Sequence, residues 1–141
     1  MTFAVAQLGA RRHYAIPRIL HAAGILERLY TDLWTGPGWL RVARVVPPGV
    51  MPRALTRLLE RRPNGVPSQR IAAFTSLGLQ YRLRLARVRD PSDRTKVFLW
   101  AGREFCRRIL KTGLGEAMAV YAFRSASLEL LQYARSRGLF V

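Results

Sequence analysis

Short apolar runs alternate with stretches of helical periodicity along the first part of the chain. Residues 3–8 form an uncharged, mostly apolar run that suits a buried strand and is too short for a free-standing helix. Gly9 interrupts the run, and apolar residues then recur at helical spacing over residues 15–23. Pro17 fits the first turn of that helix, and Gly24 provides a natural end. The pattern therefore predicts a strand, a glycine turn and a helix.

The same alternation continues to the last residue. Apolar runs predict further strands at residues 25–33, 70–74, 117–123 and, just begun, 139–141. Helical periodicity predicts helices at residues 53–62, 77–88 and 90–111, and a last helix that follows residues 124–127 and runs through 137.

Three of these predictions depend on local signals. Residues 77–88 fit both a strand and a helix, and their length favours the helix. The helix at 90–111 has a clear start, because Asp90 can cap it and Pro91 suits the first helical position. Glycines and prolines across residues 34–52 predict a loop with one short regular piece at 40–46.

The predicted inward face of the last helix consists of Leu128, Leu131 and Ala134.

Strands and helices in this alternating order predict an α/β fold, a Rossmann-like parallel sheet with helices on both faces. The 141 residues suit a single domain, residues 1–141. The strand that has barely begun at residues 139–141 predicts that the chain is a fragment of a longer protein. In open α/β sheets, ligands bind in the crevice outside the carboxyl ends of the strands.

Candidate chemistry follows the first strand, at that carboxyl edge. Gly9 would let backbone approach a ligand closely, and Arg11, Arg12 and His13 would supply donors beside the unpaired N–H groups of a helix start. An ordinary strand-to-helix turn is the competing interpretation. A single glycine is not a dinucleotide fingerprint, which disfavours a single-domain nucleotide-binding protein.

Charge adds a second kind of candidate. The formal net charge is +16, and all but two of the 24 basic residues are arginines. Residues 41–89 hold eleven arginines against one glutamate, so this predicted basic helical insert carries +10. Within it, Arg53, Arg57 and Arg61 repeat every four residues, with Arg62 beside them. A basic amphipathic helix is typical of a membrane-surface element.

The basic segment also fits roles away from a membrane. The arginines could form solvated faces or pair with acids elsewhere, since charge alone indicates only non-specific attraction. Nucleic acid ranks last, because the sequence has no zinc-finger spacing, no aromatic-rich strand of the RNA-recognition type and no evident recognition helix. A non-enzymatic basic module that binds anionic membrane or nucleic acid is thus the alternative to an enzyme.

The remaining residue types bear on metal binding and on where in the cell we expect the protein to be. Cys106, the one cysteine, falls in a helical pattern and is predicted to be a small buried hydrophobe; a lone cysteine fits a reducing compartment. His21 lacks a second ligand at suitable spacing, so no metal site is predicted. Residues 71–81 are the longest uncharged run, far short of a membrane span, and no signal peptide is evident. We expect a cytoplasmic protein, peripheral on the inner face of the cell membrane.

Four segments together resemble a known family. They are Gln7-Leu-Gly-Ala-Arg-Arg-His-Tyr-Ala-Ile-Pro-Arg-Ile-Leu20, Leu26-Glu-Arg-Leu-Tyr-Thr-Asp32, Phe98-Leu-Trp-Ala-Gly-Arg-Glu-Phe105 and Val120-Tyr-Ala-Phe-Arg-Ser-Ala126. They are similar to the amino-terminal half of bacterial group 1 (family 4) glycosyltransferases. The resemblance implies half of a two-domain B-type fold and a retaining, metal-independent transfer from a nucleotide sugar to a saccharide or lipid-linked acceptor.

The resemblance also implies roles for individual residues. Gly9 would let the first turn approach the donor diphosphate. The residues on the acceptor side would be Arg11, Arg12, His13, Asp32, Arg124 and Ser125. Arg124 departs from the small polar residue that the family more often has there. The alternatives are structural: Asp32 as a turn former, and Ser125 or Ser127 as a helix cap.

The donor half of the family has no counterpart in this chain. Its paired-glutamate signature is absent from the sequence, so the resemblance assigns no catalytic residue. The nucleotide sugar is implied as a substrate, with no further cofactor, and it would be bound mainly by the missing carboxyl-terminal half. The chain alone is therefore predicted to be inactive.

Overall fold

The computed structural model describes residues 1–9, 14–34, 65–123 and 127–141. Its centre is a sheet of four parallel strands: β1 (Phe3–Gln7), β2 (Leu26–Thr31), β3 (Ile71–Ala73) and β4 (Ala119–Ala122). Their spatial order is β3-β2-β1-β4, so β1 lies between β2 and β4. The predicted α/β fold with a parallel sheet is confirmed, and the strand order is that of Rossmann-like sheets.

Within the described residues, four α-helices and a short 3₁₀ turn accompany these strands. The helices are α1 (Ala15–Ala22), α2 (Thr75–Ala86), α3 (Pro91–Thr112) and α4 (Leu128–Ser136), and the 3₁₀ turn is Ser68–Arg70. The helical interpretation of residues 77–88 is therefore correct. The predicted helix at 53–62 lies outside the described residues, as does the predicted loop at 34–52 apart from Trp34. Of the basic segment 41–89, the described part contributes β3 and α2.

The start of α3 forms as its sequence indicates. The side chain of Asp90 accepts a hydrogen bond of 2.9 Å from the backbone N–H of Asp93. Pro91 occupies the first helical position, where it removes an N–H that has no partner inside the helix. Gly113 ends the helix with φ of 85°, a value that glycine adopts without strain.

Apolar side chains on the two faces of the sheet build two separate cores. Side chains alternate along a strand, so Ala4 and Ala6 of β1 belong to one core and Val5 to the other. The larger core includes buried side chains of α2, α3 and α4: Leu77, Ala101, Phe105, Cys106, Ile109, Leu130 and Ala134. The smaller core holds Tyr14, Leu26, Leu29 and Val66, with Leu20 of α1 against it. Helices thus cover both faces, as predicted.

The predicted inward face of α4 is partly wrong. Ala134 is buried and Leu131 packs against the larger core, but Leu128 is 65 % exposed and Leu130 is fully buried instead. Residues 128, 130 and 131 are all leucines, so periodicity alone could not select the buried pair.

The last residues extend the sheet beyond β4. Phe140 forms an isolated parallel bridge with Ala119. The N–H of Val120 donates to the carbonyl of Phe140 at 2.8 Å, and the N–H of Phe140 donates to the carbonyl of Met118 at 3.0 Å. The strand predicted to begin at residues 139–141 therefore starts at the expected place.

Candidate functional site

The candidate site lies where the order of the strands reverses. The chain passes from β1 to β2 on one side, whereas β4 lies on the other side of β1. Such a reversal leaves a crevice outside the carboxyl ends of the two strands between which it falls, β1 and β4. Gly9 follows β1 at this edge, and Phe123 follows β4 with its N–H donating to the carbonyl of Ala6 at 3.2 Å.

The turn after β1 is held by two side chains. The backbone N–H of Gly9 donates to Oδ1 of Asp32 at 2.8 Å, and Nε2 of Gln7 donates to the carbonyl of Gly9 at 3.1 Å. Gly9 has φ of 85°, and a Cβ at this position would meet no atom within 4 Å. The glycine is needed here for its backbone conformation, and its N–H already has a carboxylate partner in this arrangement.

Asp32, predicted on the acceptor side, is 2 % exposed at the end of β2. Its Oδ1 also lies 3.4 Å from Oγ1 of Thr31, which donates to it. A buried carboxylate is tolerable only when hydrogen bonds replace its hydration, and the Gly9 N–H supplies one of them. This geometry gives Asp32 the structural role of joining the ends of β1 and β2, and its contact with an acceptor stays a prediction.

Tyr14 supports the same edge from the side of the smaller core. Its hydroxyl lies 3.4 Å from Oγ1 of Thr31 and donates to the carbonyl of Leu33 at 3.3 Å. It precedes α1 with φ of 58° and ψ of 32°, a left-handed conformation that costs a non-glycine residue about 1–2 kcal/mol. Burial of its ring against Leu26 and Leu29 offsets that cost. No role is predicted for Tyr14 from the sequence, where its place before a predicted helix is the only available signal.

The first turns of α2 close in on the same edge from the β3 side. The N–H of Phe74 donates to the carbonyl of Thr31 at 2.9 Å. Gly78 is buried, and a Cβ there would lie 2.9 Å from the carbonyl oxygen of Asp32 and closer still to the side chain of Leu33. Only a glycine lets α2 approach β2 this closely. An isolated glycine inside a helical pattern is a usable sequence signal for such an approach, although no role was predicted for Gly78.

Most of the predicted site residues lie outside the described part of the chain. These are Arg11, Arg12, His13, Arg53, Arg57, Arg61, Arg62, Arg124 and Ser125. Their predicted contacts with an acceptor or with lipid therefore stay predictions. Gly9 and Asp32, the two predicted site residues that are described, come together in one hydrogen bond at the carboxyl edge. Ser127 precedes α4 as its N-terminal flanking residue, but its side chain makes no capping hydrogen bond.

Among the described residues, Glu104 and Cys106 of α3 have the large pKa shifts. Burial raises the pKa of the Cys106 thiol to about 11, and its side chain is fully enclosed, which confirms it as a small buried hydrophobe. Hydrogen bonds from Arg107 and Arg108 lower the pKa of Glu104 to about 2. Both groups lie in α3, and the causes of their shifts are the burial of Cys106 and the two arginines that follow Glu104 in that helix.

Two further observations concern metals and membranes. Over residues 1–9, 14–34, 65–123 and 127–141, no group of three or more His, Cys, Asp or Glu side chains is arranged to hold a metal ion. In the same ranges, no helix combines the length and apolar character that crossing a bilayer requires.

Comparison of this chain with protein-family models, with curated proteins and with solved structures gave no match.

Proposed function

We propose that this chain is the acceptor-side domain of a retaining glycosyltransferase. It would take part in the transfer of a sugar from a nucleotide sugar to a saccharide or lipid-linked acceptor. That reaction would belong to the synthesis of a cell-surface polysaccharide or a glycolipid. A second domain would bind most of the donor. The resemblance of four segments, including residues 7–20 and 120–126, to family 4 glycosyltransferases motivates the proposal.

The single observation that supports it best is the place and form of the Gly9 turn. Gly9 ends β1 at the strand-order reversal of a parallel sheet, and the Asp32 carboxylate holds its backbone at 2.8 Å. In sheets of this kind the reversal is where ligands bind. The location of the turn at the reversal, and not its hydrogen bonds, favours a ligand site over an ordinary turn.

Chain connectivity supports a common location for the other proposed residues. Arg11, Arg12 and His13 follow Gly9 after one alanine, while Arg124 and Ser125 come directly after Phe123 at the end of the neighbouring strand β4. Guanidinium groups bind phosphate and carboxylate bidentately, which suits an anionic or lipid-linked acceptor. Because the Asp32 carboxylate already accepts from the N–H of Gly9, Gly9 would serve the donor diphosphate through close approach of its backbone, and these side chains would bind the acceptor.

The proposal is tested by mapping binding onto backbone amides. UDP-glucose, GDP-mannose and the corresponding free sugars serve as probes in titrations of ¹⁵N-labelled protein. We expect shifts of the Gly9, Asp32 and Phe123 amides at the carboxyl edge, and none at Gly24 and Glu116, which precede β2 and β4. The R11A/H13A variant should lose the shifts, whereas R18A, which removes an exposed arginine of α1, should keep them.

Two results would contradict the proposal. Shifts confined to Gly24 and Glu116 would remove the carboxyl edge as the binding site. Transfer of labelled sugar from either donor by the purified chain alone would overturn the division of labour between two domains.

A further inference from the structure

The sheet face that carries the smaller core is covered over β2 and partly open over β4. Over β2, Leu26 and Leu29 are buried, and Leu20 of α1 packs against them. Over β4, Tyr121 is 40 % exposed. Tyr121 lies on this face because it pairs with Val5 of β1, whose side chain belongs to the smaller core. An aromatic ring is therefore open to solvent beside the central strand.

A second aromatic ring contacts the first. Phe123 comes two positions after Tyr121, and side chains two positions apart along extended backbone point to the same face of a sheet. The centres of the two rings are 5.4 Å apart and their planes meet at 78°, which is an edge-to-face contact. Tyr121 and Phe123 thus form one unit, which we call the β4 aromatic pair.

The β4 aromatic pair lies next to the crevice at the carboxyl edge. The register sets Ala6 beside Ala122. Phe123 follows Ala122, so it lies level with Gln7 at the end of β1, and its N–H donates to the carbonyl of Ala6 at 3.2 Å. Gln7 is also the residue whose side chain holds the carbonyl of Gly9. The pair therefore borders the strand-order reversal, where the proposed acceptor would bind.

We propose that the β4 aromatic pair stacks against a sugar ring of the acceptor. A pyranose carries C–H groups on the faces of its ring and hydroxyls around its rim. An aromatic face is electrostatically negative, so it attracts these C–H groups and also removes them from water. The hydroxyls stay free for hydrogen bonds, and Arg124 and Ser125 are the next polar residues along the chain that could supply them.

This inference rests on the proposed function and deepens it. It assigns the acceptor a pyranose ring at the crevice, whether that sugar is free or is carried by a lipid. It also assigns Tyr121 a part in choosing the acceptor, because a sugar whose exposed face carries hydroxyls in place of C–H groups would stack poorly on the ring.

The shape of the pair favours a sugar over a nucleobase. A flat base binds where an aromatic ring offers it a parallel face, and successive bases need successive faces. The planes of the Tyr121 and Phe123 rings meet at 78°, so a planar base can stack on only one of them. A puckered pyranose can instead place C–H groups against both rings at once.

Saturation-transfer NMR on the whole chain tests the stacking. The probes are methyl β-D-glucopyranoside, methyl β-D-galactopyranoside and methyl α-D-mannopyranoside, with sorbitol as a control that has hydroxyls and C–H groups but no ring. Irradiation of the aromatic protons of the protein should transfer saturation to the C–H protons on one face of at least one glycoside. Sorbitol should receive little, and the same glycoside should shift the Tyr121 and Phe123 amides.

Three variants separate the ring from other effects. Y121L keeps apolar volume but removes the flat ring, and we expect the affinity for that glycoside to fall about tenfold. Y121F keeps the ring and should bind within about twofold of the unaltered chain. Y133L removes a tyrosine of equal exposure on α4 and should also bind within about twofold. Titration of the Phe123 amide measures each affinity, and circular dichroism verifies the fold.

Three outcomes would overturn the stacking. One is the absence of saturation transfer to every glycoside. Another is equal affinity for sugar in Y121L and Y133L. The last is a stronger shift of the Tyr121 and Phe123 amides by UDP or GDP than by any glycoside, which would assign the rings to a nucleobase.

A second copy of the chain is the competing occupant. Phe140, which is 67 % exposed, lies on the same face as Tyr121, because it bridges to Ala119, two positions earlier in β4. Contact between two copies would shift the Phe123 and Phe140 amides as the protein is concentrated without sugar, and that result would also overturn the proposal. Amide positions that stay constant on dilution would support it.

The same experiment separates the stacking from the proposed function. If a glycoside shifts the Gly9 and Asp32 amides with equal affinity in Y121L, the crevice binds sugar and only the stacking is wrong. If Y121L loses affinity while the Gly9 and Asp32 amides never move, the rings bind sugar outside the crevice. That second result would support the stacking and count against the proposed function.

Discussion

At the scale of single residues, one hydrogen bond explains the geometry of the candidate site. Asp32 and Gly9 are far apart in sequence, and the bond between them ties the ends of β1 and β2 together. The sequence could indicate each residue separately, because a glycine after an apolar run and an acid at a strand end are both readable signals. It could not indicate that the two groups bond to each other, since that depends on the parallel register of β1 and β2.

Replacing Asp32 tests whether this bond stabilises the fold. D32A leaves the Gly9 N–H without its acceptor, and we expect the free energy of unfolding to fall by about 2 kcal/mol. D32N should lose less, because an amide oxygen can still accept the bond, although without the help of a charge. Urea denaturation measures both, with Q80A at an exposed position of α2 as the control. A D32A protein as stable as Q80A would show that the bond contributes nothing.

At the scale of elements, helix starts were easier to predict than helix faces. The Asp90-Pro91 signal located the beginning of α3 because capping depends on neighbouring residues alone. The buried face of α4 depends on how the helix sits on the sheet, which is a tertiary property. Three closely spaced leucines satisfied more than one orientation, and packing against the larger core selected Leu130 over Leu128.

Glu104 gives α3 a pH dependence that can be measured. Its carboxylate accepts hydrogen bonds from Arg107 and Arg108, and its folded pKa of about 2 lies below its ordinary value of 4.5. A lowered folded pKa means that the stabilisation is complete above about pH 4.5 and is lost as the pH falls towards about 2. Arg107 is largely exposed, so solvent screening limits the gain to about 1 kcal/mol.

The E104Q variant isolates this contribution. We expect it to be about 1 kcal/mol less stable than the unaltered chain at pH 7 and equally stable near pH 2, as measured by urea denaturation across that range. E116Q is the control, because within the described ranges the Glu116 carboxylate makes no ion pair. A constant difference between E104Q and the unaltered chain at every pH would exclude the carboxylate charge as the cause.

At the scale of the whole molecule, the class of fold was predictable and the strand order was not. Strands that alternate with helices predict a parallel sheet, because each helix carries the chain back across the sheet to the end at which the next strand begins. Where β4 lies depends on the long connection from β3, and periodicity contains no information about it. The largest part of the predicted binding chemistry, including Arg11 and His13, lies outside the described residues, so its placement still depends on the sequence argument.

The strand order has a consequence for hydrogen exchange. β1 pairs with β2 on one side and β4 on the other, whereas β3 is a three-residue strand that pairs with β2. We expect the amides of Val5 and Ala6 to exchange slowest in the native protein, about tenfold or more slower than the hydrogen-bonded amides of β3. Exchange followed by ¹⁵N-NMR measures this. Faster exchange in β1 than in β3 would contradict the central position of β1.

The two side chains that hold Gly9 also bear on how any ligand would bind at the carboxyl edge. Gln7 and Asp32 fix the carbonyl and the N–H of one glycine before a ligand arrives. The entropy of ordering this turn is therefore already lost on folding, and a molecule that binds there need not supply it again. Preorganisation of this kind would keep the calorimetric entropy penalty of binding at Gly9 small.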